Sequence, residues 1–118
     1  MKVLAIDDDL HILKLIHYGL TRAGLRVQTC NDSARALEYV GSYRPDVILL
    51  DIMMPAPDGF ALCEALRQNP EYRRIKIFML TAKSQMGDVE KALALGADDY
   101  IVKPFDPEKL ASIIWGKV

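Results

Sequence analysis

The sequence predicts an α/β domain of the doubly wound kind, (βα)5, built on a five-stranded parallel sheet. Three observations carry that reading. Apolar runs of four or five residues alternate with longer amphipathic segments five times over, which is the pattern of repeated βα units. The runs at 3–6, 47–50 and 77–80 are apolar throughout, as strands covered by helices on both faces are. Finally, 118 residues of which 51% are hydrophobic suffice for one core, so residues 1–118 are expected to form a single domain.

Each element has its own signals. Val3-Leu4-Ala5-Ile6 is the first strand, and a helix over 9–23 follows, with Ile12, Ile16 and Leu20 on one face and His11, Lys14 and Tyr18 on another. Gly24 stops it. Leu25-Arg26-Val27-Gln28-Thr29 alternates apolar and polar residues, so the second strand is expected at a sheet edge with one face in solvent. Asp32 or Ser33 caps a helix over 33–42, and Arg44-Pro45 turns the chain into the third strand, 47–50. Helices over 58–68 and 85–95 flank the fourth strand, 77–80, and Gly96 ends the latter helix. A short strand over 99–102, polar at its start, suits the other edge, and a helix over 107–115 closes the series.

Right-handed crossovers carry the first two units one way from the first strand and the later units the other way. The resulting order is 2-1-3-4-5, a flavodoxin-like arrangement, with a ligand crevice between strands one and three beyond their carboxyl ends. Asp7, Asp8 and Asp51 fall at that crevice; Thr81 and Lys103 fall beside it on the next two strands. Three carboxylates a few ångströms apart repel by about 4 kcal/mol per pair at 4 Å and an effective dielectric near 20. Lys103 supplies one positive charge and a divalent ion would supply two. Hard oxygen donors without histidine or thiol favour Mg²⁺ or Mn²⁺ over zinc, and Mg²⁺ often completes its shell with phosphate oxygens.

Composition excludes other classes. A net charge of −1 with both signs interspersed gives no basic field for direct nucleic-acid binding by this segment. No apolar stretch approaches the ~20 residues of a membrane span, and no signal-peptide pattern opens the chain, so a soluble cytoplasmic location without membrane contact is expected. Cys30 and Cys63 fit neither a disulfide framework nor a metal spacing.

Taken together, the acid pair Asp7-Asp8, the segment Pro45 to Pro55 around Asp51 with Asp58-Gly59, the Leu80-Thr81-Ala82 strand end, and Gly96 to Phe105 around Lys103-Pro104 are highly specific. With them the chain resembles, over essentially its whole length, the receiver domain of two-component response regulators. The resemblance implies a phosphorylation switch, with only self-phosphorylation and autodephosphorylation as intrinsic chemistry. Asp51 would be the phosphoacceptor. Asp8, Asp51 and the backbone carbonyl of Met53 would bind Mg²⁺ directly, Asp7 through a water. Lys103 would neutralise charge, and Thr81 and Tyr100 would be the switch pair. A sensor histidine kinase or phosphotransfer domain would dock on the first helix around His11 and Lys14; an effector or a second copy would read helix four, strand five and helix five. The resemblance also implies a cis Lys103-Pro104 bond.

Some residues depart from that family's pattern. Pro57 stands where many relatives have Met, and is expected to stiffen the loop after Asp51 or to open the third helix. Lys91 fits one charged position of the salt-bridged dimers of DNA-binding relatives, but Lys109 and Ile113 stand where an acid and an arginine are expected. Ile113, Ile114 and Trp115 cannot all face one core, which leaves Trp115 either under the helix end or in an apolar patch. A domain cut from a longer transcription factor or effector enzyme would look the same as a free-standing receiver. A phosphatase of the haloacid dehalogenase kind also uses acids after a first strand with Mg²⁺, but His11 stands where its motif wants threonine or valine. A degenerate receiver that binds a partner without phosphorylation is opposed by the complete acid, threonine and lysine set.

Overall fold

A computed structural model describes residues 1–118. In chain order the elements are β1 (Lys2–Ile6), α1 (Leu10–Arg22), β2 (Arg26–Cys30), α2 (Ala36–Tyr43), β3 (Val47–Asp51), α3 (Gly59–Gln68), β4 (Lys76–Ala82), α4 (Val89–Ala94), β5 (Asp99–Lys103) and α5 (Leu110–Lys117). All strand pairings are parallel and the order is β2-β1-β3-β4-β5, as predicted. β2, with alternate residues exposed, and β5 are the edges.

The sheet separates two apolar layers, because successive side chains of a strand point to opposite faces. Leu4, Ile6, Ile48, Leu50, Ile77 and Met79 pack with Val40, Leu62, Leu66 and Ala92 under α2, α3 and α4. Val3, Ala5, Leu49, Phe78, Leu80 and Ile101 pack with Leu13, Ile16, Leu20, Leu110 and Ile114 under α1 and α5. Each fully buried Leu or Ile contributes about 1.5–3 kcal/mol of apolar transfer, so both faces are held firmly.

Several boundaries differ from the sequence reading, each for a local reason. In α1 the buried seam is Leu13, Ile16 and Leu20, one step round from the expected Ile12, which is only half-buried. Leu25 lies outside β2: its N–H closes the end of α1 on the Leu20 carbonyl, and pairing begins at Arg26. Asp32 is the cap, accepting the Ala34 N–H, and opens a 3₁₀ turn over Ser33–Arg35 before α2. Arg44 ends α2 with φ +54°, in the left-handed region. Residues Lys83–Asp88 are 3₁₀ rather than α-helical, and α4 proper begins at Val89. There the Gln85 side chain accepts the Ala82 N–H, Gly87 disfavours helix, and no apolar period begins before Val89.

α5 starts at Leu110, three residues later than expected, after a turn over residues 107–109 in which Asp106 accepts the Glu108 and Lys109 N–H groups; Pro107 of that turn packs on α1. The Pro107 carbonyl lies so close to Gly19 of α1 that any side chain there would collide with it. Pro57 does not open α3; it precedes Asp58, whose carboxylate caps the helix by accepting the Ala61 N–H at 2.9 Å. The Ala56–Pro57 and Lys103–Pro104 bonds are both cis, the second as expected. Trp115 is 55% exposed, so it does not pack under the helix end, while Ile114 is fully buried and Ile113 half-buried. No helix is long and apolar enough to cross a membrane.

Candidate functional site

The parallel register brings the carboxyl ends of β1, β3, β4 and β5 to one edge. Ile6 is paired with Leu50, Asp51 with Leu80, and Ala82 with Lys103. Asp7 therefore leaves β1 beside Asp51 at the end of β3. One oxygen from each of Asp7, Asp8 and Asp51 lies within 4.8 Å of the others. Lys103 Nζ spans two of the three, donating to Asp7 Oδ2 at 2.9 Å and to Asp51 Oδ1 at 3.3 Å.

Burial divides the acids. Asp7 is fully enclosed, and its Oδ1 accepts the Asp9 N–H at 3.0 Å, so each of its oxygens has a donor. Asp51 is 4% exposed and Asp8 is exposed. Removal from water, added to the nearby Asp7 carboxylate, pushes the Asp51 carboxyl up to about 7, with Lys103 pulling the other way. Burial opposes the charge of Lys103 too, but the Asp7 and Asp51 carboxylates hold its ammonium above the ordinary lysine value. The site is short of positive charge. Oxygen donors that still repel after one lysine is spent on them fit a hard divalent cation, and the open Asp8 leaves it a way in. The residues present fit Mg²⁺.

Thr81 is fully buried, one position past the Leu80 that pairs with Asp51, and lies within β4 rather than after it. Its Oγ1 donates to the Ala82 carbonyl at 3.2 Å. Met53 is exposed in the loop two residues beyond Asp51. Tyr100 stands apart from the acids, near the start of β5 opposite Met79, half-buried against the layer under α2, α3 and α4. His11 and His17 are exposed on α1, His11 in its first turn with its N–H on Asp9.

Three supporting residues gave little local signal in the sequence of the contacts they make. Gly59 lies against the backbone of Asp51 and Ile52, where a Cβ would collide with the Asp51 carbonyl, so the first turn of α3 seats directly on the end of β3. Ser33 Oγ donates to the Pro55 carbonyl at 2.9 Å and ties the loop after Asp51 to the start of α2. Arg67 donates to the carbonyls of Gly96 and Tyr72 and to Asp98, whose carboxylate also accepts the Ile77 N–H. The contacts of Arg67 with Gly96 and Asp98 span about thirty residues and fix the entry to β5. Only Gly59, next to the Asp58 cap, carried any hint.

The response regulator receiver domain family matches residues 3–115. The chain is 42% identical over 109 residues to the alkaline phosphatase synthesis transcriptional regulatory protein PhoP of Bacillus subtilis, covering 92% of this chain and 45% of that protein. It is 39% identical over 109 residues to the DNA-binding dual master transcriptional regulator RpaA of Synechocystis sp., with the same shares. The chain thus spans a little under half the length of these curated relatives. Among solved structures, chemotaxis response regulator CheY4 of Vibrio cholerae superposes with a TM-score of 0.91 at 35% identity, over 99% of this chain and 98% of that one. The BeF3-activated N-terminal receiver domain of RstA from Klebsiella pneumoniae gives 0.88 at 31%, over 99% and 97%.

Proposed function

This chain belongs to the response regulator receiver family, and we propose that Asp51 is its phosphoacceptor. Receivers are phosphoacceptor switches of two-component signal transduction rather than classical enzymes; they bind Mg²⁺ at an acidic pocket and work between histidine kinases and downstream effectors. The observation that carries the assignment is the Lys103 ammonium bridging Asp7 and Asp51, with Asp8 completing the cluster.

In the mechanism, an Asp51 carboxylate oxygen attacks the phosphorus of a phosphohistidine in line. The new O–P bond forms as the N–P bond breaks, and the electron pair leaves with the imidazole nitrogen. Such transition states are loose, so positioning and charge neutralisation supply most of the catalysis. Lys103 holds the acceptor oxygen in place and offsets charge as the phosphoryl group arrives. Asp8, Asp51 and the Met53 carbonyl would hold Mg²⁺, with Asp7 acting through a water; when bound, the ion neutralises phosphoryl oxygens. Water attack on the acyl phosphate later returns Asp51 to a carboxylate. Self-phosphorylation from small donors and slow autodephosphorylation follow from the same parts.

Phosphorylation takes Asp51 from about one negative charge to about two and adds acceptor oxygens, a change large enough to recruit a hydroxyl donor. Thr81 is buried beside it, its hydroxyl on a neighbouring carbonyl, where a short rearrangement turns it to the phosphoryl group. Tyr100 then moves further inward and alters the face made by α4, β5 and α5, which an effector or a second copy reads. The exposed face of α1, with His11 and Lys14, is the docking side for a histidine kinase or phosphotransfer domain. Regulation of transcription in a longer protein, as in PhoP and RpaA, and a cytoplasmic location extend the same reading. Incubation with acetyl phosphate and Mg²⁺ is expected to add one phosphoryl group by intact mass, and none to Asp51→Asn. A variant that keeps the added mass overturns the assignment.

A further inference from the structure

Resting on the reading of Tyr100 as the switch residue, we propose that Lys117 is a positioning residue that latches Tyr100 in its unphosphorylated arrangement. The contacts form a closed set at the free edge of β5. Asp99 Oδ1 accepts the Tyr100 N–H at 2.8 Å, and Asp99 Oδ2 accepts Lys117 Nζ at 3.0 Å. The same ammonium lies 5.7 Å from the centroid of the Tyr100 ring, within the range of cation–π attraction.

The geography gives this pair its meaning. α5 packs on one face of the sheet through Leu110, Ala111 and Ile114, while the Tyr100 ring packs with the layer on the other face. Lys117, in the last turn of α5, reaches round the edge strand to join the two layers. Lys117 and Asp99 side chains are 26% and 35% exposed, sheltered enough for the pair to act and open enough for it to break. Inward movement of the ring draws it from under the ammonium, so the latch opposes that movement. Two conformations that differ in one ion pair and one cation–π contact differ in population by a modest factor, and any ligand that selects the inward one meets that factor as lost affinity.

The test uses Mg²⁺ and beryllofluoride as the probe, with the bound fraction read from the ¹⁹F resonances of the beryllofluoride itself. Lys117→Met, which keeps the alkyl stem and drops the charge, is expected to bind beryllofluoride about two- to tenfold more tightly than wild type, the span expected of a partly exposed pair plus a cation–π contact. Lys117→Arg should match wild type. In a Tyr100→Ala background the effect of Lys117→Met should vanish, which a merely structural role at the end of α5 would not produce. Unchanged or weaker binding by Lys117→Met, or an equal gain in the Tyr100→Ala background, overturns the latch while leaving Asp51 as phosphoacceptor. No response of wild type to beryllofluoride removes both readings together.

Discussion

Replacing Asp51 with asparagine is expected to stabilise the metal-free protein above neutral pH. In the folded chain the Asp51 carboxyl ionises near 7, against an ordinary 3.8, because burial and the Asp7 carboxylate both oppose its charge. A folded-state value raised above the unfolded one means that the folded state binds the proton more tightly. Stability from that proton is fully present below about pH 4 and is lost as pH rises through about 7. The gap of about three pH units, at 1.36 kcal/mol each, sets a ceiling of about 4 kcal/mol for the cost of ionising Asp51 in the fold. Relaxation of neighbouring groups around the ionised carboxylate lowers that ceiling, so a gain of about 2–4 kcal/mol for Asp51→Asn near pH 8 is the expected range. Urea denaturation in the presence of a chelator, at about pH 5 and about pH 8, measures it. Wild type should lose stability between those values and the variant should lose much less. Mg²⁺ at a hundredfold over its Kd should then return about 2.7 kcal/mol to wild type and far less to Asp51→Asn. An Asp51→Asn protein less stable than wild type near pH 8 without metal would refute the account of why the site needs a cation.

Three further substitutions probe the supports of the site. Lys103→Met leaves the fully buried Asp7 carboxylate without its ammonium and is expected to cost about 3–5 kcal/mol in metal-free urea denaturation, with acetyl phosphate labelling strongly reduced. Gly59→Ala drives a Cβ into the Asp51 carbonyl; a cost of about 1–3 kcal/mol and slower labelling are expected, and wild-type values for both would show that α3 does not seat on Asp51. Arg67→Ala removes donors from Gly96, Tyr72 and Asp98 and is expected to cost about 2–4 kcal/mol, with faster hydrogen exchange at Ile77 and along β5.

The site was legible in the sequence because its members sit at the ends of uninterrupted apolar runs. In a parallel sheet, strand ends converge whatever the intervening loops do, so Asp7, Asp8, Asp51 and Lys103 could be brought together from patterning and crossover handedness alone. What escaped was governed by single side-chain contacts, some of them across long separations. Others were local but turned on one side chain: Asp106 holds a turn ahead of α5, and Gln85 turns back to Ala82 in the 3₁₀ segment before α4. Arg67 reads as an ordinary helical arginine until the turn at Gly96 arrives beside it. Trp115 shows the same limit from the other side: helical spacing separates it from Ile114 but does not say which of them meets the core, and packing leaves Trp115 outside.

The central claim, that Asp51 carries the phosphoryl group, is tested most directly by trapping the modified residue. After incubation with acetyl phosphate and Mg²⁺, borohydride reduces an acyl phosphate to an alcohol, converting the labelled aspartate to homoserine. Peptide mapping is expected to find homoserine at position 51 and unaltered aspartate at positions 7 and 8. Homoserine at position 7 or 8, or none at 51 in a protein whose intact mass shows the phosphoryl group, would contradict the account.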